Sequence, residues 1–301
     1  MAARDTLVTE PAAGFSVVYR LINAARHSID ITMYEFADTT AEHALAAAAR
    51  RGVDVRVILD RRENRLNSAA YRYLTSHRVK VVWSSSGFDY THQKTLVSDQ
   101  SRALVMTANL TSRYYSTSRD FVVVDGSRSD VAAIVRVFDA DFSHRPIQPG
   151  DGRDLVWSPT DSQRQILGVI NGARKSLRIY SEEMSDSAVD DALIKAAKRG
   201  VDVSICGENA DGQYDAVFAR LARAGVHISY YSSFRGFYIH GKVIEADYGT
   251  DHARSFIGSE NFSETSLDRN RELGLITSDS AILASIARTF AGDFKRGKHV
   301  A

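Results

Sequence analysis

Two short stretches of this chain repeat one polar pattern, and both hold groups suited to moving a phosphoryl group. His92-Gln93-Lys94 runs on to Asp99, and His240-Gly241-Lys242 runs on to Asp247, so each reads His-x-Lys-x4-Asp. A constant offset of 148 residues carries one onto the other, and of nine histidines only this pair superposes. Asn109 and Asn261 follow, then an acid in each half, Asp120 and Glu272. In an extended strand, residues i and i+2 face the same way, so each imidazole projects with its ammonium group. Two such pairs brought together make a cleft for an anion with several oxygens. Phosphoryl transfer needs charge stabilised on those oxygens and helpers placed in line. One histidine can attack phosphorus while the other protonates the leaving oxygen. Asp120 and Glu272 can each hold a ring in the working tautomer. The spacing leaves open whether each acid serves its own half or the other.

Metal binding is the competing chemistry for histidines and acids. It is disfavoured because an ammonium beside each histidine would repel a cation. No metal and no cofactor are therefore expected. His27, His43, His77, His144, His227, His252 and His299 lack repeat counterparts and read as packed or surface residues. Glu35 and Glu183 do align, each closing an apolar strand; they read as strand-end polar groups, with lining of the cleft as the other option.

The repeat extends well beyond the motifs. Ala25–Ile31 aligns with Ala173–Ile179 and Arg51–Val55 with Arg199–Val203. After Asp247 the second half gains four residues, and the offset becomes 152. The chain thus reads as two copies of one domain, 1–148 and 149–301. Each copy alternates strands and helices. In the first, helices are expected near Phe15–Arg26, Ala41–Arg51, Ser68–His77 and Val131–Phe142. Strands are expected at Ile29–Phe36, Val53–Leu59, Val79–Trp83, Thr95–Ser98, Ala103–Met106 and Phe121–Asp125. This predicts two α/β sandwich halves, with mostly parallel or mixed sheets, packed about a pseudo-twofold axis.

The pattern resembles the His-Lys-Asp motif of the phospholipase D superfamily in its two-motif form, from about Phe15 to Phe294. Gly258-Ser259-Glu260-Asn261 and Asn270-Arg271-Glu272 fit closely. The first copy has Met106-Thr107 in place of Gly-Ser, which would put bulk near the phosphate. The resemblance implies a metal-independent phosphodiesterase with a phosphohistidine intermediate, His92 as nucleophile and His240 as acid, and release to water or an alcohol. Lys94, Lys242, Asn109 and Asn261 would hold the phosphate, with Thr107, Ser259, Tyr90 and Tyr238 as further substrate contacts. Asp99 and Asp247 read as structural, orienting the lysine or closing the strand.

Lys and Arg number 38 against 37 Asp and Glu, a net charge of +1. That counts mildly against a dedicated nucleic-acid binder. Aromatics crowd both motifs: Phe88, Tyr90, Tyr114, Tyr115, Phe234, Phe237 and Tyr238. A phospholipid phosphodiesterase touching a membrane surface is the leading expectation, with a nuclease second and a catalytically weak phosphate-binding module third. Cys206 is the sole cysteine and reads as buried. Met1–Glu10 lacks the apolar run of a signal peptide. The chain is then either cytoplasmic or a secreted form stripped of its leader, the latter being slightly favoured. Both half-sites lie on one chain, so a monomer is expected.

Overall fold

A computed structural model describes residues 5–150, 152–232 and 236–300; Phe234 lies outside them. Each half builds its first layers from the same local signals. The Ala-rich helix Thr39–Arg50 starts at Asp38, whose carboxylate accepts the Thr40 and Ala41 N–H groups. It ends before Gly52, which takes φ 89°. Its twin, Ser187–Lys198, starts at Asp186 and ends before Gly200 at φ 88°. Side-chain caps satisfy the free N–H groups at the start, and glycine takes the left-handed turn at the stop.

In the first half, seven strands run in the spatial order Thr6–Thr9, Phe121–Asp125, Arg102–Met106, Thr95–Ser98, Ser28–Met33, Asp54–Leu59, Lys80–Trp83. The second half repeats this as Leu155–Ser158, Glu272–Thr277, Arg254–Gly258, Lys242–Ala246, Ser176–Ser181, Asp202–Glu208, His227–Tyr231, and adds the edge pair Lys298–His299. The sheets are mixed. Strands joined by helices pair in parallel, as Ser28–Met33 does with Asp54–Leu59. Thr95–Ser98 and Arg102–Met106 are joined by a turn too short for a crossover and pair antiparallel. The edge strands Thr6–Thr9 and Leu155–Ser158 were not among the expected elements.

Each half has its own apolar core under its helices. A third cluster joins them. It sets Val105, Phe121 and Val123 against Tyr180, Val243, Ile257 and Leu273, closed by the helices Arg128–Phe142 and Ser280–Arg296. Two ion pairs cross the same boundary. Arg119 Nε lies 2.6 Å from Asp293, and Arg271 Nε lies 3.0 Å from Asp141. The offset of 152 carries Arg119 and Asp141 onto Arg271 and Asp293, so one contact is made twice about the pseudo-twofold axis.

Candidate active site

The histidine segments are laid down by backbone pairing between the halves. Tyr238–Ile239, just before His240, pairs in parallel with Ser118–Arg119, just before Asp120. Thr91, just before His92, bridges Arg271, just before Glu272. Gln93 N donates to Arg271 O at 3.0 Å, and Arg271 N donates to Tyr90 O at 2.9 Å. Each imidazole is therefore delivered opposite the acid of the other half. His92 Nδ1 lies 2.8 Å from Glu272 Oε2, and His240 Nδ1 lies 2.7 Å from Asp120 Oδ1. The choice left open by the spacing is thus answered: both pairs form across the interface.

A carboxylate on Nδ1 fixes the proton there and leaves Nε2 for chemistry. Burial pushes His92 down to about 4, Lys94 and Lys242 push the same way, and Glu272 opposes them. Near neutral pH this ring is uncharged, with a lone pair free on Nε2. Burial alone would raise the Glu272 carboxyl, but His92 and Lys94 hold it below the usual range. Ser266 and Asn270 donate to its second oxygen at 2.5 and 2.9 Å. Asp120 is steadied by the Thr107 hydroxyl, which donates to it at 2.6 Å.

Lys94 and Lys242 are fully buried beneath the rings, each donating to the carbonyl of its own motif histidine at 2.6 Å. Burial and then the charge of Lys242 push Lys94 down to about 7. A cavity of about 460 Å³ opens above, lined by His92, His240, Asn109, Asn261, Asp120, Tyr34, Tyr238, Glu35, Glu182 and Glu183 among others. The lysines meet the cavity through their motifs rather than as lining residues. In neither half does the motif histidine fall inside a regular strand; His92, Lys94 and His240 lie in extended chain leading into one.

Several expected contacts lie elsewhere. Thr107 and Ser259 are fully buried and do not reach the cavity. Their hydroxyls accept the N–H groups of Phe121 and Leu273 at 2.9 and 3.1 Å, pinning the strands that carry Asp120 and Glu272. Tyr90 sits outside the cavity, half exposed, edge-on to Tyr34. Asp99 and Asp247 touch neither lysine. Each takes the left-handed conformation and accepts backbone N–H groups from the turn entering the half's central strand, Arg26–Ser28 or Arg174–Ser176.

Met106 does not crowd the cavity either, since it packs into the first half's core. A Cβ on its counterpart, Gly258, would come within 2.2 Å of Glu260, 2.5 Å of Gly274 and 2.9 Å of Phe256. The first half carries Ala108, Val122 and Leu104 at those places. Without the glutamate and the phenylalanine ring, there is room for methionine.

Other positioning groups went unread in the sequence. Asp60 accepts the Thr91 N–H at 2.6 Å, and Glu208, its equivalent at offset 148, accepts the Ile239 N–H at 3.1 Å. Both hold the residue just before a histidine. The repeat alignment contains them, but an acid at a strand end carries no signal of its own. Glu182 is the other omission. Its carboxylate lies 2.5 Å from Lys242 Nζ and 3.7 Å from His240 Nε2, and accepts the Tyr238 hydroxyl at 2.7 Å.

Fold and site together define a duplicated phosphodiester-acting protein with one composite cleft. The family model described as "Cardiolipin synthase, PLD-like domain" matches residues 18–144 and 166–294. The chain belongs to that phospholipase D-like family. Among solved structures it is similar to phosphatidylserine synthase from Haemophilus influenzae, at 13% identity and a TM-score of 0.75, covering 100% of this chain and 89% of that one. It is also similar to polyphosphate kinase from Porphyromonas gingivalis, at 18% identity and a TM-score of 0.75, covering 96% of this chain and 50% of that one. Both likenesses are of fold. An uncharacterized protein from Streptococcus mutans is 34% identical over 115 residues, which is 36% of this chain and 24% of that protein. The chain thus spans about a quarter of that curated relative and half of the kinase.

Proposed function

We propose that the chain hydrolyses or transfers phosphodiesters without a metal, through a phosphohistidine on His92, and that its substrate is a phospholipid whose head-group alcohol leaves. The observation that carries this is the shared cavity. It holds an uncharged His92 with Nδ1 committed to Glu272, facing a second ring committed to Asp120. His92 attacks phosphorus, His240 protonates the leaving oxygen, and water or an alcohol then releases the phosphoryl group with His240 as base.

Lipid is favoured over nucleic acid by the walls. Glu35, Glu182 and Glu183 line the same small cavity and would repel the flanking phosphates of a polyanion. The near-neutral net charge points the same way. The solved relative named as a phosphatidylserine synthase lends the lipid reading further support.

The test is incubation with a phospholipid panel and with single-stranded and duplex DNA, EDTA present throughout, with products identified by mass. Phosphatidic acid, or an exchanged lipid when alcohol is added, is expected. DNA cleavage alone, falling steeply with salt, would replace the lipid reading with the nuclease one. No product from any substrate would leave a phosphate-binding module.

The reading also fixes a pH profile. His92 attacks only when neutral, and its depressed value keeps it neutral down to about pH 4. Lys94 assists only when charged and loses its proton near pH 7. Turnover should therefore rise through about pH 4 and fall above about pH 7. An acid limb near 6.5, the ordinary histidine value, would contradict attack by His92.

A further inference from the structure

The two histidines occupy matching places but do not have matching neighbours. The offset of 148 carries Tyr34 onto Glu182. Tyr34 presents its ring edge-on to His92, with centroids 4.5 Å apart, and lies 5.0 Å from the Lys94 ammonium. Glu182 presents a carboxylate to His240 Nε2 at 3.7 Å and to Lys242 Nζ at 2.5 Å. Both rings have an acid on Nδ1, and both have a lysine beneath. What differs is the group at this position, an aromatic ring beside His92 and a carboxylate toward His240 Nε2.

We propose that Glu182 assigns the division of labour, holding a proton on His240 Nε2 so that His240 enters turnover as the acid while His92 enters as the nucleophile. This rests on the phosphodiesterase reading of the same cleft and adds the residue that breaks its symmetry.

His240 is faced by Asp120 on Nδ1, by Glu182 on Nε2, by Lys242 two residues on and by Glu35 from the first half. A carboxylate toward each nitrogen gives a proton on either side of the ring an acidic neighbour. His92 is faced by Glu272, by Lys94 and Lys242, and by the neutral Tyr34 ring. Burial, helped by the two lysines and opposed by Glu272, favours the neutral ring. Burial would raise the Glu182 carboxyl, but His240 and Lys242 hold it well below the usual range, so it is charged throughout the working pH. Tyr238 fixes its orientation.

The step then balances. The Nε2 lone pair of His92 forms the P–N bond, the P–O bond to the alcohol breaks, and the Nε2 proton of His240 passes to the departing oxygen. In the second step water attacks phosphorus and the P–N electrons return to His92. The water's proton goes to His240, where Glu182 retains it. Glu182 is a positioning residue here, acting through the ring.

The test compares two methyl phosphodiesters that differ in the phenol released. p-Nitrophenol departs readily as an anion, whereas unsubstituted phenol needs the proton. Glu182→Gln should lower the first-turnover rate of phenol release by at least ~10-fold while changing the first-turnover rate of p-nitrophenol release by less than ~3-fold. Glu182→Asp should show the same split in weaker form. That variant also decides the matter should Glu182→Gln fail to fold. Equal losses on both esters, or losses confined to KM, would overturn the assignment and leave the phosphodiesterase reading standing. Absence of turnover by the wild-type chain on both esters and on phospholipid would overturn that reading, and this one with it.

Discussion

His92→Asn should lower turnover by ~10³-fold or more and abolish any acid-labile phosphoprotein formed during reaction. The loss is expected to be this large because the nucleophile has no substitute. The other ring lies between two carboxylates, Asp120 and Glu182, and under the proposed division of labour it serves as the acid. Asparagine keeps a polar group of similar reach near Glu272, so the buried acid is not stranded beside an apolar side chain. The matching variant, His240→Asn, separates the two roles. It should slow formation of the phosphoenzyme on poor leaving groups but still permit it on p-nitrophenyl esters. Rapid quench in base followed by detection of phosphohistidine reads both. A phosphoenzyme that persists in His92→Asn and vanishes in His240→Asn would reverse the assignment.

Asp293→Asn should be among the most destabilising single changes in the chain. The Asp293 carboxylate is fully buried and accepts Arg119 Nε and Nη2 at 2.6 and 3.0 Å, together with the Tyr180 hydroxyl at 2.7 Å. Removing its charge leaves the Arg119 guanidinium, itself almost wholly buried, without a counter-ion. Breaking one side of a buried pair costs about 3–5 kcal/mol. In a chain of this size that corresponds to a Tm lower by roughly 10 °C. The effect reaches the site as well, since Arg119 immediately precedes Asp120, the partner of His240. Asp154→Asn provides the contrast. It removes the acid from the mostly exposed pair Arg153–Asp154, and such pairs contribute at most about 1 kcal/mol. Similar melting temperatures for the two variants would show that the cross-half pairs do not hold the halves together.

Much of this was legible in the residues, for a specific reason. Duplication supplies its own control: any chemistry-bearing residue needed twice appears twice, at a fixed offset. His92, Lys94, Asn109 and Asp120 could be picked out that way, and so could the order of strands and helices. The strand Phe121–Asp125 opens on the unbroken apolar run Phe121–Val124, closed by Asp125, and such a run marks its own end. Thr6–Thr9 has no such run; it is strand because Phe121–Asp125 offers it an edge, and that is a tertiary fact.

Within the site, repetition revealed which residues matter but not what each one touches. Thr107 and Ser259 looked like phosphate contacts because they stand at the serine of the family's Gly-Ser pair. Their hydroxyls instead pin the strands of the two acids. Met106 looked intrusive because the compensating losses, Leu104 for a phenylalanine and Ala108 for a glutamate, lie at neighbouring positions and act only through packing. Glu182 was missed by the same logic that found the histidines, since a search for what the halves share passes over the place where they differ.

The stereochemical course at phosphorus tests the covalent two-step account most directly. A phosphodiester made chiral with oxygen isotopes or sulfur is turned over in the presence of an acceptor alcohol, and the configuration of the product is read by phosphorus NMR. Attack by His92 followed by attack of the acceptor inverts phosphorus twice, so net retention is predicted. Net inversion would mean that the acceptor strikes phosphorus directly, and that neither ring is ever phosphorylated.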